Sequence, residues 1–429
     1  MKKTILAIVI TILISGMSIN SISSIQIKQS SRTLLHRGNT LYVGGNGSGN
    51  YSKIQDAIDN TSDGDIVFVY DDSSPYKEFI TIFNSIILIG EDKNTTVIEG
   101  FKNNDVIKIT TPEYVSITGF TINRSGEDNE DAGIQIYSSY HHIYGNIFSD
   151  NRKGIILEKT SHNCNIYNNY FIDNFQGIDA DESNNYNFFE NIFYSNRFGI
   201  VIDKVMYTKI SNNTFQENGD GIFLLHEADY NEIIDNHFIG NKVEGIHVGT
   251  ASYNHFYCNN FSNNDCGILL SYQSTNNLVD NNYFSKNKYG IEISWNDNLI
   301  ERNLFKGNEI GIKINWGVEN KIIYNNIENN DIGIYITGGS DKNSITCNNF
   351  LNSSGTFLHI YPDIFSLRNN WDKNYWSPIK GDIKIIYGKM KVVIFSWEDM
   401  WGDLQEYAIY PYWFTIDWHP AKEPYDIVV

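Results

Sequence analysis

The chain of 429 residues is poor in cysteine, methionine, proline and positive charge, and each shortage removes a class of protein. Its four cysteines, Cys164, Cys258, Cys266 and Cys347, show no CxxC spacing, so they mark neither a zinc site nor a disulfide framework and are expected to be small buried residues. Five methionines, none in a Met-rich motif, leave a soft copper site short of sulfur donors. With 32 lysines and arginines against 51 acids the net charge is −19, which opposes approach to a polyanion and makes nucleic acid a poor partner. Long apolar runs are missing except at the start, where "MKKTILAIVITILISGM" has two lysines and then a short apolar stretch. Residues 1–24 therefore read as a signal peptide or N-terminal anchor, the run being shorter than the roughly 20 residues that cross a membrane. The chain is expected to be secreted or at the cell surface, touching membrane only through that segment if uncleaved, and residues 25–38 read as a linker. Sequons such as Asn46-Gly-Ser, Asn212-Asn-Thr and Asn260-Phe-Ser fit an exported glycoprotein.

What is present is a repeat. Gly-Ile recurs at Gly133, Gly154, Gly177, Gly199, Gly221, Gly245, Gly267, Gly290, Gly311 and Gly333, and Gly355 followed by Thr356 continues the series at a mean period near 22. A second marker, Asn-x-aromatic or Asn-x-Ile, keeps the same beat at Asn146, Asn169, Asn191, Asn213, Asn236, Asn259, Asn282, Asn303, Asn325 and Asn348. A third apolar patch lies between them, as in "YTKIS" and "YNEII". Each period thus holds three short segments with strand-like alternation, separated by Asn, Asp and Gly. Helical repeats would not tolerate Asn and Gly at this density, and propeller blades run about twice as long.

The pattern predicts an all-β fold, a right-handed parallel β-helix of three-strand coils of about 22 residues. Coils stacked at about 4.8 Å bury their inward Ile and Phe in one continuous core, over a rod of roughly 50 Å. Asn and Gly are expected to take left-handed backbone at the corners, with stacked Asn side chains bonding as ladders. Residues 39–110 read as an N-terminal cap and irregular first coils, in which "NYSKIQDAIDN" spaces Tyr51, Ile54 and Ile58 on one face of a short helix capped by Asn50. Residues 111–370 hold the regular coils. Residues 371–429, rich in tryptophan and proline, read as an aromatic C-terminal cap or module.

These features resemble the NosD-like right-handed parallel β-helix repeat proteins, also described as carbohydrate-binding and sugar-hydrolysis repeats. The likeness rests on "LYVGGNGSGNYSKIQDAIDNTSDGDIVFVY", "ILIGEDKNTTVIEG", the "NNYF…N…GI" coils and the closing "NNWDKNYW". It implies the fold. For activity it implies a range: sugar-active enzymes, surface proteins and an accessory protein of copper delivery. The opening also looks like pectin-lyase-like enzymes. Neither the pectin methylesterase stretch with its nucleophilic aspartate nor the polygalacturonase set of Asn-Thr-Asp, Gly-Asp-Asp, Gly-His-Gly and Arg-Ile-Lys is present, which counts against both activities.

Equivalent positions in successive coils stand one above another, so residues about 22 apart can share a site. The fourth residue after each glycine gives Glu158, Asp181 and Asp203 in consecutive coils, with Asp179 on the same face and His226 one coil beyond Asp203. Carboxylates one coil apart, near 5 Å, suit retaining glycoside hydrolysis, and their crowding raises a pKa or attracts Ca²⁺. An acidic, solvated stripe is the simpler reading, because perturbed carboxylates also occur in structural networks. For copper, His226, His237, His247 and His255 fall on different sides of a coil and read as isolated surface residues. Outward Trp295, Trp316 and Tyr335 suit stacking on sugar rings. The sequence therefore points to a β-helix protein that binds, and in one version processes, polysaccharide or glycoconjugate. A structural or adhesive surface protein, a polysaccharide lyase or glycoside hydrolase, and, last, a copper-accessory protein remain as alternatives; no cofactor is specified.

Overall fold

Three short strands in each coil pair in parallel with their counterparts one coil on. Gln176–Asp181 pairs with Phe198–Asp203, Asn187–Phe189 with Lys209–Ser211, and Ile192–Tyr194 with Thr214–Gln216. The computed structural model describes residues 38–110, 113–359, 368–377, 384–390, 392–398, 404–409 and 412–427. Among these the Asn-x-Phe strands form a ladder of 14, and the Gly-Ile and middle strands form two further parallel ladders. The expected signal segment and all but the last residue of the linker lie outside the described residues. The architecture is the expected parallel β-helix.

Alternation within each strand sends one set of side chains inward. Ile178, Ala180, Phe188 and Phe193 are all fully buried, and so are their equivalents in the next coils. Phe171, Phe193, Phe215 and Phe238 stack ring on ring at 4.7, 4.8 and 4.8 Å, as near-parallel as the coils themselves. This column explains the Gly-Ile glycines, whose φ is not positive. A Cβ on Gly199 would lie 2.4 Å from the Gly221 carbonyl oxygen and 2.8 Å from the Phe215 ring, so close approach and not handedness selects glycine there.

The Asn marker forms the expected ladder. The Asn236 side-chain oxygen accepts from the Asn213 backbone N–H at 2.9 Å and from its side-chain amide at 3.0 Å, and the Asn213 amide also donates to Phe188 O at 2.9 Å. Two further ladders accompany it, through Asn151, Asn174 and Asn196 and through Asn231, Asn254 and Asn277. The left-handed residue is not the ladder asparagine but the one before it. At that position stand Asn168, Glu190, Asp235, Cys258, Arg302, Tyr324 and Cys347, all with φ between 53° and 59° or close to it. The corner is therefore imposed on whatever residue precedes the ladder: the expected Asn and Gly stand there in some coils, as at Asn168, Asn212 and Gly145, and other residue types in the rest.

Both ends depart from the repeat. The N-terminal helix spans only Ile54–Ile58, and its first two free N–H groups donate to the Glu78 carboxylate at 2.9 and 3.0 Å. Asn50 instead donates to Gly44 O, so Glu78 replaces it as the cap. At the other end Gly355 stands opposite Ile334, not Gly333, one residue out of the expected series. It takes the place of an inward isoleucine, and the rings of Trp371 and Trp376 fill the space above it, within 3.3 Å of where a Cβ would lie. These two tryptophans extend the core. Beyond them Lys384–Met390 pairs antiparallel with Tyr412–Asp417, and Val392–Glu398 with Leu404–Ile409. Cys164 and Cys266 are buried as expected, whereas Cys258 is exposed and Cys347 half-buried because both occupy the left-handed corner.

Replacing Asn236 by alanine strands donors and acceptors in two adjacent coils. At about 1–3 kcal/mol for each unsatisfied buried group, Asn236→Ala should lower unfolding stability by several times the effect of an exposed Asn→Ala, measured by urea denaturation. Equal losses would remove the ladder as the main constraint. A second expectation concerns His141, which is buried, accepts the Val115 N–H at Nδ1 and meets Ser138 Oγ at Nε2. Burial lowers its pKa from 6.5 to about 4. The unfolded chain then binds a proton that the folded one refuses, so stability is lost as pH falls from about 6.5 towards 4, by up to about 3 kcal/mol. The stability gap between wild type and His141→Gln should narrow across that window; a gap constant with pH would contradict the assignment.

Candidate functional site

The outward face of the Gly-Ile sheet gathers most of the chemistry. Three columns run along it: the residue before each glycine, the second after it and the fourth after it. The expected acid stack occupies the third column, where Asp181 and Asp203 stand in register. Glu158 follows Leu157, which pairs with Ala180, and so precedes Asp181 by one coil. The stack is divided among partners. Glu158 accepts from the Gln135 amide at 2.7 Å, Asp179 pairs with Lys153 at 2.5 Å, and Asp203 meets His226 Nδ1 at 3.0 Å. Asp181 is left exposed, its pKa raised by burial first and then by the charges of Asp203, Glu182 and Asp179.

Two coils on, the other columns bring His247 together with two acids that the sequence pattern did not single out. Asp220 precedes Gly221, Glu244 precedes Gly245, and His247 is the second residue after Gly245. Their donor atoms lie within 4.8 Å of one another, the one group of three His, Cys, Asp or Glu donors that converges this way among the described residues. Asp220 is buried, and its carboxylate accepts the Glu244 backbone N–H at 3.1 Å. Burial, then the hydrogen bond to Asp220 and its charge, push the Glu244 carboxyl from 4.5 up to about 8. Burial also lowers the His247 pKa. His247 is thus no isolated surface histidine: its ring stacks on Phe223 at 4.5 Å, and its Nε2 lies 3.0 Å from Ser271 Oγ. The signal was present in the sequence as two acids before successive glycines, but alignment on the fourth position alone passed over it. His226, His237 and His255 remain on a corner, the Asn-x-Phe sheet and the middle sheet.

A third group borders the same face. The corner that follows the fourth position carries Tyr272, Trp295 and Trp316 in consecutive coils, preceded by Ser271, Ser294 and Asn315. Tyr272 and Trp316 are 59% and 50% exposed. The Tyr272 and Trp295 rings meet edge to face at 63°, so they are not stacked face on face. Trp316 lies against the backbone of Gly338 and Gly339, where any Cβ would collide with its indole. Tyr335 sits inside this border, opposite Lys313, which pairs with Glu292 at 2.9 Å. By contrast Tyr207, Tyr230 and Tyr253 stack at 16° and 6° and hide their faces in each other.

A stacked-coil solenoid with this sheet arrangement is a right-handed parallel β-helix, and residues 198–350 match the right-handed β-helix region family. Residues 9–187 and 58–244 match the family described as periplasmic copper-binding protein (NosD), together more than half of the sequence. The chain belongs to this NosD-like β-helix family. Among curated proteins no sequence matches significantly. Similar solved structures include the N-terminal fragment of gene product 12 of bacteriophage Phi29 and a PL6-family alginate lyase, both 13% identical, with TM-scores of 0.56 and 0.54. The alignments cover 72% and 86% of this chain but only 66% and 55% of those chains. At that identity the likeness is one of fold.

The donor set can be compared with the family's copper. Soft thiol and thioether ligands suit cuprous ion, but among the described residues no cysteine joins a converging group of three donors. The converging set found among the described residues, Asp220, Glu244 and His247, carries no sulfur and so does not suit a soft copper ion.

One consequence of the divided acid stack can be measured. Asp203→Asn removes one of the charges that raise the Asp181 pKa, so the midpoint followed by carboxyl ¹³C NMR should fall. Because burial is the first cause, it should not return fully to the ordinary 3.8. An unmoved midpoint would show that the two acids do not interact.

Proposed function

We propose that this protein is an extracytoplasmic β-helix that binds polysaccharide or glycoconjugate along the outward face of its Gly-Ile sheet. The observation that carries the proposal is the border of Tyr272, Trp295 and Trp316, in which each aromatic follows a hydroxyl or amide residue in consecutive coils. Sugars have apolar ring faces and polar rims, and a tilted aromatic beside a hydrogen-bonding side chain meets both. Coils repeat at about 4.8 Å, close to the length of one sugar unit, so an extended glycan along the axis finds equivalent contacts at each step. The Phe-lined interior is closed; the ligand belongs outside. The family's periplasmic description supports a place beyond the cytoplasm, and the alginate lyase supplies a precedent for polysaccharide chemistry on this fold. The proposal is one of recognition. The acids Glu158, Asp179 and Asp203 are engaged by Gln135, Lys153 and His226, which favours a binding surface over a catalytic pair.

Glycan-array and affinity-electrophoresis measurements on the purified chain test this reading. Trp316→Ala and Tyr272→Ala should each weaken retention by a bound polysaccharide about tenfold, the loss of one stacking contact of roughly 1.4 kcal/mol. Retention of no glycan by the wild type, or retention by both variants equal to that of the wild type, would leave a structural or adhesive surface protein as the better description.

A further inference from the structure

We infer that Asp220, Glu244 and His247 form a binding site for one divalent cation of borderline hardness, such as Zn²⁺. The argument begins at Ser271, whose hydroxyl donates to Val248 O at 2.9 Å. Its single hydrogen is thereby used, so at 3.0 Å from His247 Nε2 the Ser271 oxygen accepts and Nε2 carries the proton. The neutral ring then presents an unshared pair at Nδ1. That atom lies 3.9 Å from Glu244 Oε2, too far for a hydrogen bond and near enough for both to reach one ion. An imidazole whose other nitrogen is held by an oxygen partner is the usual arrangement of a metal-ligating histidine.

The carboxylates complete the set. Asp220 stands one coil before Glu244, 7% exposed, and no lysine or arginine forms an ion pair with either among the described residues. Lys313, the cation on this face nearest in sequence position beyond Glu292, is committed to Glu292. Acids buried side by side without a cationic partner are stabilised by a coordinated ion. Cys266, in register with Glu244, turns its thiol to Ile268 O at 3.3 Å and stays outside the group. One nitrogen and two oxygen donors suit zinc better than cuprous ion or a calcium site built from oxygen alone. Zinc ligands at about 2.0–2.2 Å sit roughly 3.4 Å apart in a tetrahedron, so the present spread closes by side-chain rotation of about 1 Å. Three protein ligands leave a fourth position for water or a solute oxygen.

The site shares Ser271 with the aromatic border but does not rest on the glycan reading, and its test contains no glycan, so either can fail alone. The full chain, purified without a histidine tag and stripped with EDTA, is titrated with ZnCl₂ by calorimetry at pH 7.5. One Zn²⁺ per chain is expected. His247→Gln and Glu244→Gln should each weaken binding at least tenfold, and Glu319→Gln, on a distant exposed corner, should leave it unchanged. Ser271→Ala removes no ligand but frees the imidazole tautomer of His247 and should weaken binding severalfold, which also serves if the ligand variants lose their β circular dichroism. Absence of saturable binding in the wild type overturns the inference, as does unchanged affinity in the Ser271 variant together with any folded ligand variant.

Discussion

A buried asparagine amide in each coil is the interaction on which the other features depend. Its oxygen takes two N–H groups from the coil before, and its nitrogen returns to carbonyl oxygens, so one side chain satisfies backbone groups at a bend where no strand partner exists. The ladder fixes the coil-to-coil register. Given that register, every outward column is in line, and residues 22 or 23 positions apart become neighbours. The stacked phenylalanines, the close-packed glycines and the left-handed corners are all consequences of holding successive coils at one spacing.

The same register decides what could be read from the sequence. The Gly-Ile and Asn-x-Phe beats are strict because a Cβ at Gly199 or a lost amide at Asn236 breaks packing directly, and strict beats are legible. The left-handed corner was less so: Glu190, Arg302 and Tyr324 give no chemical hint of positive φ, since the following asparagine imposes it. The Asn151 and Asn231 ladders share the period, so their asparagines are legible in the sequence as well. Gly355 kept the beat in sequence and lost it in space, because Trp371 and Trp376 offered another way to fill the core.

The face chemistry was the least legible part. Stacked acids at the fourth position were easy to align, yet Gln135 and His226 engage Glu158 and Asp203, and Lys153 takes the neighbouring Asp179. Asp220 and Glu244 lie in one column and His247 in another, so their meeting appears only when two columns are read across two coils. Aromatic residues followed the same rule: exposure alone did not separate Tyr207, Tyr230 and Tyr253, which stack on each other, from Tyr272, which meets Trp295 edge to face.

The end of the main ladder has a consequence of its own. Asn374, its last amide, donates its backbone and side-chain N–H groups to Asp417, a fully buried residue returned by the final strand. Every amide in the stack passes a hydrogen-bond request forward to the next coil. A carboxylate has no side-chain N–H with which to pass it on, so the sequence of requests stops there. The ladder therefore has a direction and a terminator, and a second chain arriving at that end finds no amide asking for another rung.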